Sequence, residues 1–480
     1  MSTPRSRRRF FQDATTGLAG GLLAQVALAA DGGAAGSTAG ADVLLPPAQR
    51  EPLRFGYVGT GIRFHELVSA GGAHGPAVAV CDVDAVQRGR GLESALRVHR
   101  GRGYSQAIYD YEDYRRLLER DDVDVVVIAT PDHWHTKIAI EAMQAGKDVY
   151  CEKPLTLTIR EGQQILQAIK QTGRILQVGT QQRSEFDKRF VDAAALVRND
   201  RVGDVQKITV AIGGSMTSPP LPYRDPPKEL NWDVWQGQAR ELPYCSNDEI
   251  QGEGYGAGHR LSRTHNYFRW WYEYSGGKLT DWGAHHVDIA MWATQKDRGP
   301  VGNITIEPIS VTHPVPFDAA GMPTVDNQFN AATAFHVRCT FDDGMVLDVR
   351  DTARDLGFVN GIMFEGSGGR LFVNRGKLTG KPVEELAQNP LPADAHRQLY
   401  GKEPPQSQMG DFVQCVRTRE TPVSDAASHH RILSVCHAVN IAMRLGRTLV
   451  YDTAAEQFVD DAQANGFVER TQRSGYEIRV

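Results

Sequence analysis

The chain has 480 residues, of which 41% are hydrophobic and 23% charged, so it can form the cores of two or three domains. Its formal net charge is -5, and no block of Lys or Arg follows residue 9, which excludes the basic surface typical of nucleic-acid-binding proteins. The six cysteines lack Cys-x-x-Cys spacing and are too few for a disulfide scaffold, so we interpret them as small apolar residues.

The first 30 residues have the features of an export signal. "SRRRFFQ" (6–12) places adjacent arginines before two phenylalanines, an apolar Ala/Gly/Leu run follows, and "ALAA" (27–30) offers a small-residue cleavage site. We predict a twin-arginine signal peptide over residues 1–30, the twin-arginine export machinery as a partner, and a periplasmic or secreted protein. The run is too short and too rich in Gly and Ala for a stable membrane span, although an uncleaved anchor is the alternative. Residues 31–50 are predicted to be a flexible linker.

After the linker, short apolar runs alternate with amphipathic segments. The apolar runs predict strands over residues 53–61, 77–84, 123–131, 148–151 and 175–178. The amphipathic segments predict helices over residues 111–119, 136–145 and 159–172. This alternation is typical of parallel strands joined by crossover helices, so we predict an α/β domain over residues 51–180.

The second half of the chain has a different pattern. Strands are predicted over residues 206–212, 303–311 and 332–341, and the last two follow each other without an intervening helix. This arrangement favours a largely antiparallel sheet in a second domain, which we assign to residues 181–450. Residues 451–480 are predicted to be a C-terminal extension.

The first predicted strand runs into "GTGIRF", which resembles a dinucleotide-binding fingerprint. Gly59 permits a tight turn and Gly61 lets the backbone approach a diphosphate, but Phe64 stands where a third small residue is usual. Asp82 follows the second strand, where an acid binds the adenine ribose hydroxyls and repels a 2'-phosphate. These residues favour NAD over NADP, with a turn-capping role for Asp82 as the alternative.

A later stretch, "GGKLTDWGAHHVDIAMWA" (276–293), concentrates titratable groups in an apolar helical pattern. Asp281, His285 and Asp288 are spaced to share one helix face, whereas His286 points about 100° away. The alternative is a solvated helix edge with a chance ion pair. His133 and His135 have a His-x-His spacing, but on a loop after a strand we favour nucleotide or packing contacts and predict no metal site.

Four motifs together carry a resemblance to a known family. "ATPDHWH" (129–135), "CEKPLTLT" (151–158), "VGTQQRS" (178–184) and "GGKLTDWGAHHVD" (276–288) occur in order and with plausible spacing. The chain from about residue 53 to 450, including "HHRILSVCHAVNIAMRLGR" (429–447), resembles the glucose-fructose oxidoreductase, inositol dehydrogenase and rhizopine-catabolism family, Gfo/Idh/MocA. The resemblance implies an N-terminal Rossmann NAD(P)-binding domain and a C-terminal α/β domain with a large, mostly antiparallel open sheet.

The resemblance also implies an activity. It predicts an oxidoreductase that transfers hydride between a hydroxyl-bearing carbon of a sugar, polyol or glycoside and a tightly bound nicotinamide, with NAD favoured over NADP. A small carbohydrate substrate and a homo-oligomer are expected. A redox-neutral, NAD-dependent glycosidase that oxidises, eliminates and re-reduces its substrate is one alternative. A sugar-binding regulator without catalysis is another, although Lys153, Asp281 and His285 together argue against it.

The family motifs assign roles to individual residues. By resemblance, His285 is the base that accepts the hydroxyl proton, Lys153 stabilises developing oxyanion charge, and Asp281 orients the imidazole or binds substrate hydroxyls. Arg183 is predicted to bind substrate hydroxyls together with Asp281 and His285. The predicted nucleotide-binding residues are Gly59, Thr60, Gly61, Ile62, Asp82, Thr130, Pro131, His135, Glu152, Lys153 and Gln181.

Overall fold

A computed structural model describes residues 51–251 and 259–480 of the protein. The predicted signal peptide (1–30) and linker (31–50) lie outside the described residues. Within the described part of the chain, none of the helices combines the length and the apolar character that crossing a membrane requires.

The first domain is built on a parallel sheet, as predicted, with six strands in the order β3-β2-β1-β4-β5-β6, of which β3 was not among the five predicted strands. Its strands are β1 Phe55–Val58, β2 Ala77–Cys81, β3 Tyr109–Tyr111, β4 Val125–Ile128, β5 Asp148–Glu152 and β6 Leu176–Gly179. Its helices are α1 Phe64–Gly71, α2 Ala85–Arg102, α3 Tyr114–Leu118, α4 Asp132–Gln144 and α5 Ile159–Thr172. This strand order is that of a Rossmann fold, whose ligands bind beyond the carboxyl ends of the strands.

Local sequence explains where these elements begin and end. The Asp84 side chain accepts hydrogen bonds from the first backbone amides of α2, and Thr158 caps α5 in the same way. Both helices end at a glycine in the left-handed conformation, Gly103 and Gly173. The central strands are buried apolar runs, as expected for a parallel sheet covered by helices on both faces.

The second domain contains a nine-stranded sheet with order β15-β14-β13-β7-β12-β11-β10-β16-β17, and a separate pair of strands, β8 and β9. The strands are β7 Val205–Ala211, β8 Ser246–Gln251, β9 Arg260–Ser262, β10 Asn303–Thr312, β11 Ala334–Phe341, β12 Val346–Arg350, β13 Gly361–Gly366, β14 Gly369–Val373, β15 Leu378–Gly380, β16 Leu449–Asp452 and β17 Gln457–Phe458. The helices are α6 Arg189–Arg198, α7 Trp232–Gln236, α8 Lys278–Asp281, α9 Gly283–Ala293, α10 Lys381–Glu384, α11 Ala395–Tyr400, α12 Gln408–Thr418, α13 Ala426–Leu445 and α14 Ala462–Asn465. Within the nine-stranded sheet, only β7 and β12 pair in parallel, which confirms the prediction of a mostly antiparallel sheet.

One face of this sheet carries the domain core. Alternate residues of β11, such as Val337 and Cys339, are buried against α6, α9 and α13, while their neighbours on the strand are partly exposed. On the other face, the side chains of β10 are mostly exposed and those of β11 partly exposed, so the sheet is open on that side.

The C-terminal residues are part of both domains. β16 spans the predicted boundary between residues 450 and 451 and pairs with β10 in the large sheet. The last residues then return to the Rossmann domain, where Lys137 donates to the Glu477 carbonyl at 2.8 Å and Ile478 is buried in the core. Phe412 of α12 is also buried in the Rossmann core. The extension predicted from the sequence is therefore integrated into the fold.

Candidate active site

A cavity of about 730 Å³ opens at the carboxyl edge of the Rossmann sheet. Its walls come from the loops that follow β1, β2, β4 and β5, and from α8, α9 and the β14–β15 turn of the second domain. The volume falls in the range of about 300–1,000 Å³ that is typical of ligand sites. The switch point of the parallel sheet and the second domain thus meet at one site.

The loop after β1 leaves room for a diphosphate. Gly59 has a φ of +88°, and a Cβ there would lie 2.6 Å from the Ala129 carbonyl carbon, so only glycine fits. A Cβ on Gly61 would meet nothing within 4 Å, because this side of the loop faces the cavity. Phe64, which departs from the fingerprint, is fully buried and packs edge-on against Tyr57 with ring centroids 5.4 Å apart. It therefore anchors α1 in the core and does not fill the cavity.

Asp82 lies beside this loop. Its carboxylate accepts hydrogen bonds from the Thr60 backbone N–H at 2.8 Å, the Thr60 hydroxyl at 3.1 Å and the Asp84 N–H at 3.0 Å. Burial raises the pKa of Asp82, and the backbone hydrogen bonds oppose that shift. The carboxylate also lines the cavity, and Oδ1, which accepts a single hydrogen bond from within the protein, keeps an acceptor position for a ribose hydroxyl. The loop and Asp82 together fit a nicotinamide dinucleotide.

We expect Asp82→Ala to weaken NAD binding by about 10- to 100-fold, the value of one or two hydrogen bonds to a charged group. The preference for NAD over NADP should narrow, because the acid that repels a 2'-phosphate is gone. Equilibrium binding of both nucleotides checks this, with Asp110→Ala on the exposed strand β3 as the matched control. If Asp82→Ala keeps the wild-type preference for NAD over NADP, Asp82 only caps the turn at Thr60.

The predicted catalytic lysine and acid form an ion pair in the cavity. Lys153 directly follows β5, and its Nζ lies 2.6 Å from Asp281 Oδ1 and 3.1 Å from the Asp281 carbonyl oxygen. Arg269 Nε and Lys278 Nζ approach the same carboxylate at 3.7 and 3.9 Å. Burial raises the pKa of Asp281, but Lys153, Arg269 and Lys278 outweigh it, so the pKa lies well below its usual range. Asp281 is a carboxylate and Lys153 its nearest cation.

His285 faces the same cavity from α9. Its Nδ1 is buried and has no hydrogen-bond partner among the described residues. Burial lowers the pKa of His285 well below 6.5, and the charges of Lys153 and Arg375 lower it further, so the imidazole is neutral near pH 7. The structure places Asp281 against Lys153 and not in a hydrogen bond with this ring. Asp281 was predicted either to orient the imidazole or to bind substrate hydroxyls. The geometry does not support the first of these roles.

The helix face predicted for Asp281, His285 and Asp288 is interrupted. α8 ends at Asp281 and α9 begins at Gly283, so Trp282 separates two helices and the spacing of one continuous helix does not apply. Asp281 and His285 still reach the cavity, whereas Asp288 is buried elsewhere. Of the three residues expected on one helix face, only Asp281 and His285 therefore belong to the site.

Arg183 does not occupy the position predicted for a substrate-binding residue. Its guanidinium donates to both carboxylate oxygens of Asp288 at 2.8 Å and lies 3.3 Å from Asp297. All three side chains are at least 95% buried, and Arg183 is absent from the described residues that line the cavity. The prediction for Arg183 is corrected: it forms buried ion pairs with Asp288 and Asp297 in the second domain.

The other predicted nucleotide-binding residues gather on the Rossmann wall. Glu152 Oε1 accepts from Arg63 Nε and from Gln181 Nε2, each at 2.9 Å. His135 places one ring nitrogen 2.6 Å from the Pro154 carbonyl and the other 2.9 Å from the Thr130 carbonyl, which ties two of the loops together. The predicted residues that line the cavity are Gly59, Gly61, Ile62, Asp82, Thr130, Pro131, His135, Glu152, Lys153 and Gln181, while Thr60 lies behind them and binds Asp82.

His133, the other member of the His-x-His pair, points away from His135. It is fully buried, with its Nε2 2.8 Å from the Trp235 carbonyl. In residues 51–251 and 259–480, no three His, Cys, Asp or Glu side chains are grouped in a way that would hold a metal ion. His133 therefore packs against the second domain, whereas His135 joins two loops of the Rossmann domain.

Several cavity residues were not predicted from the sequence. Lys278, Trp282 and Arg375 line the substrate side of the site, and so do Arg269 and Trp270 from the aromatic stretch 266–274. That stretch was interpreted as core or interface, and the structure divides it: Phe268 and Trp270 are buried and also border the cavity, whereas Tyr267, Trp271 and Tyr274 belong to the core alone. Lys278 belongs to the family motif at 276–288, so it could have been predicted from the sequence. No motif in the sequence around Arg375 predicts that it lies in the site.

A segment of the second domain covers one end of the nucleotide cleft. We call residues 229–237 the clasp. Its Glu229 carbonyl accepts from the Ala85 N–H at 2.9 Å, and its Asn231 N–H donates to the Val83 carbonyl at 3.1 Å. Trp235 of the clasp lines the cavity beside the Rossmann loops. Because Val83 and Ala85 lie one and three residues after Asp82, the clasp is attached at the end of the cleft at which an adenosine would bind.

The C-terminal tail fixes the clasp in place. Arg473 donates to the Asp233 carboxylate at 2.7 Å, to the Asp233 carbonyl at 2.6 Å and to the Gly237 carbonyl at 2.9 Å. The Tyr476 hydroxyl donates to the same carboxylate at 2.7 Å. The clasp is thus held between the Rossmann loops on one side and the end of the chain on the other.

Two family models match the chain. Residues 53–180 match the NAD-binding Rossmann fold of the Gfo/Idh/MocA oxidoreductase family, and residues 216–478 match a C-terminal alpha/beta domain of the same family. A solved structure, the WlbA dehydrogenase of Chromobacterium violaceum in complex with NADH and UDP-GlcNAcA, shares the fold with a TM-score of 0.54 and 18% identity. The alignment covers 85% of this chain and 98% of that one.

Curated relatives match a smaller part. An alpha-N-acetylgalactosaminidase of Shewanella oneidensis is 34% identical over 173 residues, which are 35% of this chain and 37% of the relative. An inositol 2-dehydrogenase of Salmonella paratyphi B is 32% identical over 127 residues, 26% of this chain and 34% of the relative. The chain thus spans little more than a third of the length of these relatives.

Proposed function

The chain belongs to the Gfo/Idh/MocA oxidoreductase family, and from this premise we propose that it is an NAD-dependent oxidoreductase acting on a hydroxyl-bearing carbon of a carbohydrate. The observation that carries the proposal is the convergence of Lys153, Asp281 and His285 on the cavity that the glycine loop also borders. Fold membership alone leaves the chemistry open, but a neutral imidazole beside a lysine ammonium is suited to oxidising an alcohol.

The side chains divide the work of the reaction. A bound nicotinamide supplies the hydride acceptor. The neutral His285 imidazole accepts the hydroxyl proton as the carbonyl forms. The Lys153 ammonium stabilises the negative charge that develops on the substrate oxygen, and Asp281 holds that ammonium in position through the 2.6 Å contact. Glu152 stays engaged with Arg63 and Gln181 and shapes the loop that presents Lys153.

We further propose that the nucleotide stays bound through many turnovers. The clasp closes the adenosine end of the cleft, and its release requires breaking contacts to both the Rossmann loops and the tail. An exported enzyme would meet little free NAD, so it would leave the cytoplasm folded around its nucleotide. A retained cofactor must be restored in every cycle, by a second sugar or acceptor or by returning the hydride to the same substrate.

Return of hydride to the same substrate is the second candidate function, a redox-neutral glycosidase. The similarity to an alpha-N-acetylgalactosaminidase over 173 residues favours it as the alternative. Both functions use the same hydride-transfer residues, so the site geometry does not separate them. A non-catalytic sugar-binding regulator has less support, because it would not need a lysine, a carboxylate and a neutral histidine at one nucleotide cleft.

The test uses purified full-length protein with pairs of free sugars and their aryl glycosides, without added NAD. A dehydrogenase should accumulate reduced nicotinamide, seen by its absorbance, up to one equivalent per site. A redox-neutral glycosidase should release the aryl alcohol over many turnovers with no net reduction. If the protein is loaded with NAD and still shows neither signal with any sugar, the proposed oxidoreductase activity is wrong.

We propose that the protein is exported by the twin-arginine route, which would explain why it has to keep its nucleotide bound. Replacing Arg7 and Arg8 with Lys should leave full-length protein in the cytoplasm, because the pathway requires the arginine pair. Cell fractionation and immunoblotting check this, and Arg5→Lys, outside the pair, is the control that should be exported normally. Normal export of the double variant would contradict a twin-arginine signal.

We also propose a homo-oligomer that buries the open face of the nine-stranded sheet. Ile309, at the bulge of β10, is 46% exposed, and Glu307 and Ser310 beside it are exposed as well. Light scattering should report a mass above that of one chain, and Ile309→Glu should lower it. A monomeric wild-type protein would contradict the proposal.

A further inference from the structure

The substrate side of the cavity carries more positive than negative charge. Lys153, Arg269, Lys278 and Arg375 line it, and the first three approach the carboxylate of Asp281. The neighbouring acids have other partners: Glu66 and Glu152 pair with Arg63, and Asp132 accepts a hydrogen bond from Ser275. Uncompensated cations in a cleft of low dielectric are costly, which suggests that a ligand completes the site.

Lys278 is the least compensated lysine in the cavity. Its Nζ lies 3.9 Å from Asp281 Oδ2, beyond hydrogen-bond distance, and has no closer acceptor among the described residues. The Nζ lies 5.5 and 5.8 Å from the ring centroids of Trp270 and Trp282. Burial lowers the pKa of Lys278, while Asp281 opposes that shift. The two indole rings and the ammonium form one wall of the cleft.

Arg375 completes this wall from the β14–β15 turn. Its guanidinium lies over Trp282 at 4.6 Å and over Phe186 at 4.5 Å, and its Nε is buried without a partner in the described part of the chain. No carboxylate of residues 51–251 and 259–480 forms an ion pair with it. A guanidinium that is held by aromatic rings and has free N–H groups is arranged to bind two oxygens of one oxyanion.

The nucleotide's own phosphates do not account for these cations. The diphosphate position is defined by the glycine loop and the start of α1 on the Rossmann side. Lys278 instead lies on the second domain: its backbone N–H is hydrogen-bonded to Ser215, and its Cε packs toward Gly213, just beyond β7. It therefore stands on the same side as His285, where the reacting sugar has to bind.

We infer that the substrate is an anionic sugar, whose carboxylate or sulfate ester binds between Lys278 and Arg375 while its ring packs against Trp270 and Trp282. This inference rests on the proposed function and names the substrate class of the same site. A charged substituent at this place would also orient the ring, so that one hydroxyl is presented to His285 and Lys153.

The experiment measures binding of matched sugars to the purified, nucleotide-loaded full-length protein by calorimetry at constant ionic strength. The pairs are glucose and glucuronate, galactose and galacturonate, and mannose and mannuronate, with glucose 6-sulfate as a separate arm. At least one anionic sugar should bind about 10-fold or more tightly than its neutral partner, as expected for charge-assisted hydrogen bonds. The arm with the larger preference identifies the carboxylate or the sulfate ester as the recognised group.

Substitutions locate the preference. Lys278→Met and Arg375→Met, which keep much of the apolar stem, should each lower the ratio of anionic to neutral binding about 10-fold. Lys377→Met, on the exposed turn two residues from Arg375, is the control and should keep the ratio. The inference is overturned if no anionic sugar binds more tightly than its neutral partner, or if the preference survives in both variants. Neither result depends on turnover, so it is distinct from a failure of hydride transfer.

Discussion

Lys153→Ala and His285→Ala should each lower turnover by about 100-fold or more, the usual contribution of a positioned acid, base or charge. The lysine variant loses the ammonium nearest the developing oxyanion, and the histidine variant loses the proton acceptor. Nucleotide content should stay near the wild-type value in both, because the glycine loop, Asp82 and the clasp are unchanged. Single-turnover reduction of the bound nucleotide measures the effect, with the exposed Lys170→Ala as the control.

The pH dependence separates a chemical role from a structural one. His285 has to be neutral to accept a proton, so activity falls as the pH drops through its pKa, which burial and Lys153 place well below 6.5. The wild-type rate should therefore persist below pH 6.5. Removing the Lys153 charge raises the His285 pKa, so the acidic limb of the residual activity should move to higher pH. Wild-type turnover in Lys153→Ala or His285→Ala would show that the substituted residue has no part in the mechanism. An acidic limb at the same pH in Lys153→Ala as in the wild type would show that Lys153 does not lower the pKa of His285.

Arg183→Ala should destabilise the protein by about 3–5 kcal/mol, the range for removing one partner of a buried ion pair. The variant leaves Asp288 and Asp297 buried without their cation, since all three groups are at least 95% buried. Denaturant unfolding with saturating nucleotide measures the loss. Arg116→Ala is the control, because its ion pair with Glu119 is about two-thirds exposed and should contribute at most about 1 kcal/mol.

The same variant tests the corrected role of Arg183. If Arg183 bound the substrate, Arg183→Ala would raise KM and leave the unfolding midpoint unchanged. The structure predicts the opposite order of effects: a large loss of stability, and near-normal KM in the fraction that remains folded. Equal stability of Arg183→Ala and Arg116→Ala would contradict the buried ion pair.

Sequence patterns predict most of the Rossmann domain, because parallel strands that are buried on both faces appear as uniform apolar runs such as Val125–Ile128. Asp82 was found from the same patterns, since it lies at the end of a predicted strand, whereas Lys153 was assigned from its family motif. The motif-based prediction of His285 and Asp281 places both at the cavity, although the break at Trp282 changes how they reach it.

What the sequence does not reveal depends on distant contacts. The partners of Arg183 lie 105 and 114 residues away along the chain, so no local pattern distinguishes a structural arginine from a substrate-binding one. The clasp lacks regular periodicity and acquires its position from Val83, Ala85 and the tail residue Arg473. Arg375 enters the site from a turn between short strands. These features follow from tertiary packing and not from local propensity.

The central claim is an oxidoreductase closed around its own nucleotide, and the most direct measurement is the nucleotide content of the exported protein. Extensively washed protein is denatured, the released nicotinamide dinucleotide is quantified, and sugar conversion is followed with no cofactor supplied. The account predicts close to one NAD per chain and conversion over many turnovers. Empty protein that requires added NAD and releases free NADH would contradict it and would describe an ordinary dehydrogenase with an exchangeable cofactor.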